Sequence, residues 1–297
     1  MWLSTKSLAI VVGNVIINWM NKKIILIYIA FLVVIFLGLL AYWVLSQNKP
    51  VQAENIPKKV IETKPAIELG PQEPQYQKVE HYTVPILMYH YIRNAEGEDN
   101  LGKKLSVSPE NFEAQLEWLK ENGYETLKMA DLSDPKKKVL SEIYATNKKP
   151  VVLTFDDGYL DAYTDAYPIL KKYDFTGTFY IIKNFVGKDR YMNQTQINKM
   201  EQNGMEIGSH TLSHPNLAIS SPGKVRKELA ESITESKVLC YPSGRYNQEV
   251  IDLVKEAGYA NAVTTKYGIV NESSNPYELP RVRIENILLE NFAKKLQ

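Results

Sequence analysis

Through the last two thirds of the chain, short apolar runs alternate with amphipathic stretches. Residues 84–89 (VPILMY) read as a strand, residues 151–154 (VVLT) as a fully buried one, and residues 177–182 (GTFYII) as another. Residues 205–207, 238–241 and 262–264 add three more short strands. Between the strands the apolar period becomes helical. Ser108-Pro109 opens a helix, with Ser as cap and Pro in the first turn; Phe112, Leu116 and Leu119 share a face, and Gly123 follows its end. Thr195 is expected to cap a second helix ending near Gly204. Ser221-Pro222 starts a third, and a fourth runs from Gln248 to Ala257 and stops at Gly258. This alternation predicts an α/β fold, a distorted (β/α) barrel of parallel strands. In such barrels the chemistry sits at the C-terminal ends of the strands.

The N-terminal part is different material. Ile24 to Leu45 is a 22-residue span without a charge, preceded by Lys22-Lys23. Roughly 20 apolar residues cross a bilayer as a helix, and the paired lysines favour a cytoplasmic N-terminus. Residues 1–46 are therefore read as a cytoplasmic tail and transmembrane signal anchor. The run exceeds the about 7–15 apolar residues of a cleaved signal peptide. The competing reading is cleavage near Ala53. The stretch from Met20 (MNKKIILIYIAF) also reads as a start of an exported protein. Residues 47–80 carry Pro50, Pro57, Pro65, Pro71 and Pro74 among Gln, Glu and Lys, the composition of an extended linker. Residues 81–297 form the globular domain, expected on the outer side of a cell membrane.

Charge narrows the function. The chain holds 35 Lys+Arg against 34 Asp+Glu; without Lys6, Lys22 and Lys23 the remainder is slightly acidic. No basic excess exists for nucleic acid to bind by bulk electrostatics. A single cysteine, Cys240, excludes an internal disulfide and a zinc site made of paired cysteines.

Three strand ends carry polar groups. The first reads VVLTFDDGY, where Asp156 and Asp157 place like charges together, costly without a compensating cation or proton; a plain Asp-Asp-Gly turn is the alternative. The second reads EIGSHTLSHP. His210 and His214 are four apart, so one helical turn would put both rings on one face, and Pro215 limits it to a single turn. Two imidazoles and a carboxylate make a divalent-metal site with open positions, zinc being the best fit. The third, VLCYPSGRYN, runs into a Pro-x-Gly turn whose backbone N–H groups could face an oxyanion.

Together these segments resemble the polysaccharide deacetylase family, carbohydrate esterase family four. The matches are residues 154–158 (TFDDG), 209–214 (SHTLSH) and 241–244 (YPSG), spread over about residues 82–290. The resemblance implies metal-dependent N-deacetylation of N-acetylglucosamine polymers, with Asp156 as catalytic base and Asp157, His210 and His214 as metal ligands. Two departures stand out. The family's third motif usually carries an Arg where this chain has Cys240, and its late acid His has no counterpart, since no histidine follows His214. His90, ending the first strand, supplies the alternative acid. It makes the chain similar to the branch acting on poly-β-1,6-N-acetylglucosamine. Arg281 is the expected substitute for the missing Arg, with Arg283 sharing its face. Cys240 is read as a buried small apolar residue. Tyr241 and Ser243 are expected to bind substrate, with Tyr159, Tyr163 and Tyr246 as further sugar-stacking candidates. Peptidoglycan or chitin oligomers are the alternative substrates. The alternative of another class is a non-catalytic carbohydrate-binding scaffold.

Overall fold

The computed structural model describes residues 80–134 and 137–296. The expected transmembrane segment, nearly all of the expected linker and the choice of start lie outside these residues. Among the described residues no helix is long and apolar enough to cross a membrane.

Among the described residues, eight strands and seven of the helices organise the domain. They are β1 (Ile86–Tyr89), α1 (Pro109–Glu121), β2 (Tyr124–Thr126), α2 (Lys138–Ala145), β3 (Lys149–Phe155) and α3 (Tyr167–Lys172). Then come β4 (Thr178–Ile181), α4 (Gln194–Gln202), β5 (Glu206–Ser209), α5 (Pro222–Ala230) and β6 (Val238–Cys240). Last are α6 (Gln248–Glu256), β7 (Asn261–Tyr267), β8 (Leu279–Arg283) and α7 (Leu289–Lys294). Seven strands close a parallel barrel in the order β1-β8-β7-β6-β5-β4-β3, sealed by β3 against β1; β2 pairs with the first residues of β3. The expected (β/α) barrel is the observed one.

Alternation of side chains sorts the core into two layers. On β3, Val151, Leu153 and Phe155 face the helices and pack with Phe112, Leu116 and Leu119 of α1. Val152 faces the lumen with Ile86, Tyr180, Val238, Cys240, Val263 and Leu279. The lumen is filled, not open. A Cβ on Gly208 would lie 2.6 Å from two ring atoms of Tyr180, so the glycine is what lets that ring cross the barrel.

The caps follow local chemistry. Ser108 accepts from Asn111 N–H at 3.2 Å, as its position before Pro109 predicts. Helix α4 begins two residues earlier than expected. Asn193, not Thr195, is its cap, in a reciprocal box with Gln196.

Candidate active site

The parity that fills the lumen also aims side chains out of its upper end. Met88 pairs with Thr154, so His90 and Asp156, each two residues on, leave β1 and β3 at one level. Asp156 is 3% exposed, and its Oδ2 lies 3.8 Å from His90 Nε2. The next residue turns sharply. Asp157 (φ 74°) and Gly158 (φ 80°) are both left-handed, which swings the Asp157 carboxylate over the rim.

His210 and His214 meet without a helical turn. The segment after β5 is a loop in which Thr211 (φ 66°) and His214 (φ 58°) are left-handed. Thr211 Oγ1 accepts from His214 N–H at 3.0 Å, and buried Glu228 holds Ser213 through its N–H and hydroxyl. The two rings end 4.8 Å apart at 73°. The expected helical turn is thus replaced by a strained loop; Pro215 disfavours the helical backbone at His214.

Asp157 Oδ1 lies 3.3 Å from His210 Nε2 and 3.6 Å from His214 Nε2. Ligands about 2.0–2.1 Å from a tetrahedral ion stand roughly 3.3–3.4 Å from one another, so the set fits a divalent ion. His210 Nδ1 bonds the Cys240 carbonyl at 2.8 Å, leaving Nε2 for the rim. Asp156, His210 and Cys240 form a second close group. It is the poorer candidate, because Arg281 already contacts both Asp156 and the Cys240 thiol.

Arg281 arrives from β8, which is separated from β6 in the ring order by β7 alone. It is fully buried, and its five N–H donors are all used. Nε donates to the Thr264 carbonyl (2.8 Å), and Nη1 to Thr154 Oγ1 (3.0 Å) and Asp156 Oδ1 (2.7 Å). Nη2 donates to Asp156 Oδ2 (2.8 Å) and Cys240 Sγ (3.2 Å). Burial works against the Asp156 carboxylate, but this fork outweighs it and holds the carboxyl well below its usual range. Burial holds His90 down, opposed by Asp156 and Asp157.

The remaining expected residues divide. Ser243 is exposed in a left-handed turn (φ 53°) closed by bonds from Gly244 and Arg245 N–H; its own N–H takes part in neither. Tyr241 is not on the rim. Its ring is fully buried, stacks on Tyr246 at 4.4 Å and donates to the Tyr277 carbonyl, because the apolar parity of β6 continues into it. Tyr159 is half-buried against Tyr91 at 4.0 Å, and Tyr163 packs on Tyr167. Cys240 is buried as expected, yet it does more than fill space. Its carbonyl orients His210 and its thiol touches the Asp156–Arg281 pair. The substitution at that motif position was the available signal; for Glu228 the sequence offered none.

A closed parallel barrel whose upper rim gathers two carboxylates and three imidazoles, with a buried guanidinium beneath, defines a barrel hydrolase. The profile described as "Polysaccharide deacetylase" matches residues 144–262. The Bacillus subtilis (strain 168) protein named "Putative polysaccharide deacetylase YxkH" is 36% identical over 209 residues, 68% of this chain and 71% of its own. The poly-β-1,6-N-acetyl-D-glucosamine N-deacetylase of Staphylococcus aureus (strain MRSA252) is 28% identical over 253 residues, 75% of this chain and 86% of its own. Among solved structures, the Streptococcus pyogenes deacetylase PplD in complex with acetate superposes with a TM-score of 0.61 at 32% identity. It covers 72% of this chain and 98% of that one. The chain belongs to the polysaccharide deacetylase family and is a polysaccharide deacetylase.

Proposed function

We propose that the domain removes N-acetyl groups from an extracellular N-acetylglucosamine polymer, poly-β-1,6-N-acetylglucosamine ahead of peptidoglycan or chitin oligomers. The observation that carries this reading is Asp156 held by an Arg from β8 with His90 beside it, in place of an Arg at position 240 and a late His. Similarity to the S. aureus enzyme named for that polymer supports the linkage. A scaffold that only bound sugar would not need the Asp156, Asp157, His210 and His214 set.

In this reading Asp157, His210 and His214 hold a divalent ion, zinc by donor type. Such an ion polarises the acetyl carbonyl and acidifies water. Asp156, kept ionised by Arg281, accepts the proton of the attacking water. The Ser243 N–H offers a donor to the oxygen that gains charge as the carbonyl becomes tetrahedral. His90 delivers a proton to the nitrogen as the C–N bond breaks, so a neutral amine leaves with acetate. Residues 24–45 tether the domain to the membrane, with residues 47–80 as spacer.

The test is acetate release from defined polymers by the full chain, with metal content measured in parallel. About one divalent ion per chain is expected, along with loss of activity on chelation and return on adding zinc. His210→Ala and His214→Ala should lose both metal and activity. Fastest release from the β-1,6 polymer supports the reading, and faster release from peptidoglycan transfers the substrate there. Full metal occupancy in the double His variant removes the proposed ligand set.

A further inference from the structure

Two arginines of β8 share its lumen-facing parity, and only one of them is spent. Arg281 has a partner for every donor. Arg283, two residues on, is half-buried, and among the described residues its side chain has no hydrogen bond, ion pair or ring contact. Register fixes its position. Arg283 pairs with Met88, and Ile284 N–H donates to the Met88 carbonyl, so Arg283 stands beside the end of β1 where His90 leaves it. The guanidinium is near enough for its charge to oppose a proton on His90. Neither acid of the site neutralises it. Asp156 is held by the fork of Arg281, and Asp157 Oδ1 lies against His210 and His214. A half-buried cation without a partner costs desolvation and returns no bond to the fold. What it acts on is whatever stands before His90.

In the proposed reaction, what stands there changes sign. An N-acetylglucosamine unit is neutral. The leaving amine is neutral too, but once free it takes a proton from solvent and becomes a cation. It does so in front of His90, and therefore in the field of Arg283. Two like charges about 6 Å apart near a protein surface repel enough to weaken binding on the order of ten-fold. A flanking unit stands one sugar ring further on, inside the roughly 8 Å over which charges act at physiological salt. An arginine suits this role because it stays charged wherever the amine titrates.

We infer that Arg283 is a specificity-determining residue that repels glucosamine. It drives the new amine off the rim and penalises any N-acetylglucosamine unit whose neighbour has already lost its acetyl group. Deacetylation is then spaced along the polymer, with adjacent free amines rarer than chance. The inference rests on the deacetylation reading above, but not on which linkage the polymer carries.

The test uses the full chain and two N-acetylglucosamine pentamers, in the linkage that it deacetylates fastest. One pentamer is fully acetylated, and the other has glucosamine as its central unit. Acetate loss is counted at the two units flanking the centre, by tandem mass spectrometry. The ratio of kcat/KM between the pentamers, taken within one protein, cancels any loss of activity or folding common to both. In the wild type it should favour the fully acetylated pentamer about ten-fold, chiefly through KM. Arg283→Gln should remove most of that preference, and Arg283→Lys should keep most of it. Raising the pH past the titration of the amine should abolish the wild-type preference and change that of Arg283→Gln little. A merely structural role for Arg283 would not produce that pH dependence. Equal ratios in wild type and Arg283→Gln, or a wild-type ratio indifferent to pH, would overturn the inference and leave the deacetylation reading standing, because acetate would still be released. No acetate from any N-acetylglucosamine oligomer would overturn both.

Discussion

At the scale of single residues, the arrangement turns on Arg281. A buried guanidinium is tolerable only when fully paired, and this one has a partner for each donor. Arg281→Met leaves the Asp156 charge buried and unpaired, which should cost about 3–5 kcal/mol of stability, read as a fall in melting temperature, with deacetylation nearly lost. Arg281→Lys keeps the charge but cannot fork across two carboxylate oxygens, so it should recover stability more than rate. Because the Cys240 thiol sits 3.2 Å from the same guanidinium, Cys240→Arg on the Arg281→Met background should restore part of the activity. His90 answers to a different measurement. A general acid contributes roughly 10²–10⁴-fold, so His90→Ala should lose that much amide hydrolysis while metal content holds. An activated acetyl ester, whose leaving group needs little protonation, should be hydrolysed with a much smaller loss. Equal losses on amide and ester would remove His90 from the acid role.

At the scale of elements, the spacing between β4 and β5 depends on one missing side chain. Gly208 faces the Tyr180 ring across the pair, both in central strands whose backbones cannot move apart. Overpacking of this kind costs about 1–3 kcal/mol, so Gly208→Ala should lower the melting temperature by several degrees. Adding Tyr180→Leu should return part of it; a drop unaffected by that second change would place the strain elsewhere. The same elements show what was legible beforehand. Strands such as β3 are unbroken apolar runs, and α1 carries its cap and its apolar stripe, so both could be read from pattern alone. Strand β8 could not. Its lumen-facing positions include Arg281 and Arg283, and Pro280 interrupts it, so neither alternation nor apolarity marks Leu279–Arg283 as a barrel stave. The site was legible as residue types at strand ends. The loop that joins His210 to His214 was not, since its left-handed Thr211 and His214 sit in a segment held by tertiary contacts, Ser213 to Glu228 and His210 N–H to the Ile181 carbonyl, rather than by local preference.

At the scale of the whole domain, the barrel has two distinct ends. Thr83 and Leu296 line one hollow with Pro85, Tyr124 and Pro150, at the N-terminal ends of β1, β2 and β3, so the described residues begin and end near this foot of the barrel. The groups of the candidate site lie at the opposite end, where the loop after β4 packs against the turn that follows Asp157. Leu160 N–H donates to the Arg190 carbonyl, and Met192 N–H to that of Gly158, so residues 183–193 buttress the turn that carries Asp157. This polarity suits a polymer substrate, which needs one whole face free of the enzyme's own attachments. It also sets two modifications against each other. A folded protein fused after Gln297 should leave kcat and KM on the polymer unchanged, because it hangs from the foot. The same protein inserted between exposed Lys188 and Asp189 should raise KM sharply and lower kcat, because it loads the buttress and crowds the rim. Both chains should melt near the parent temperature, which separates obstruction from unfolding. If the fusion after Gln297 impairs turnover as much as the insertion does, the polymer must reach around to the foot, and the division of the barrel into two ends fails.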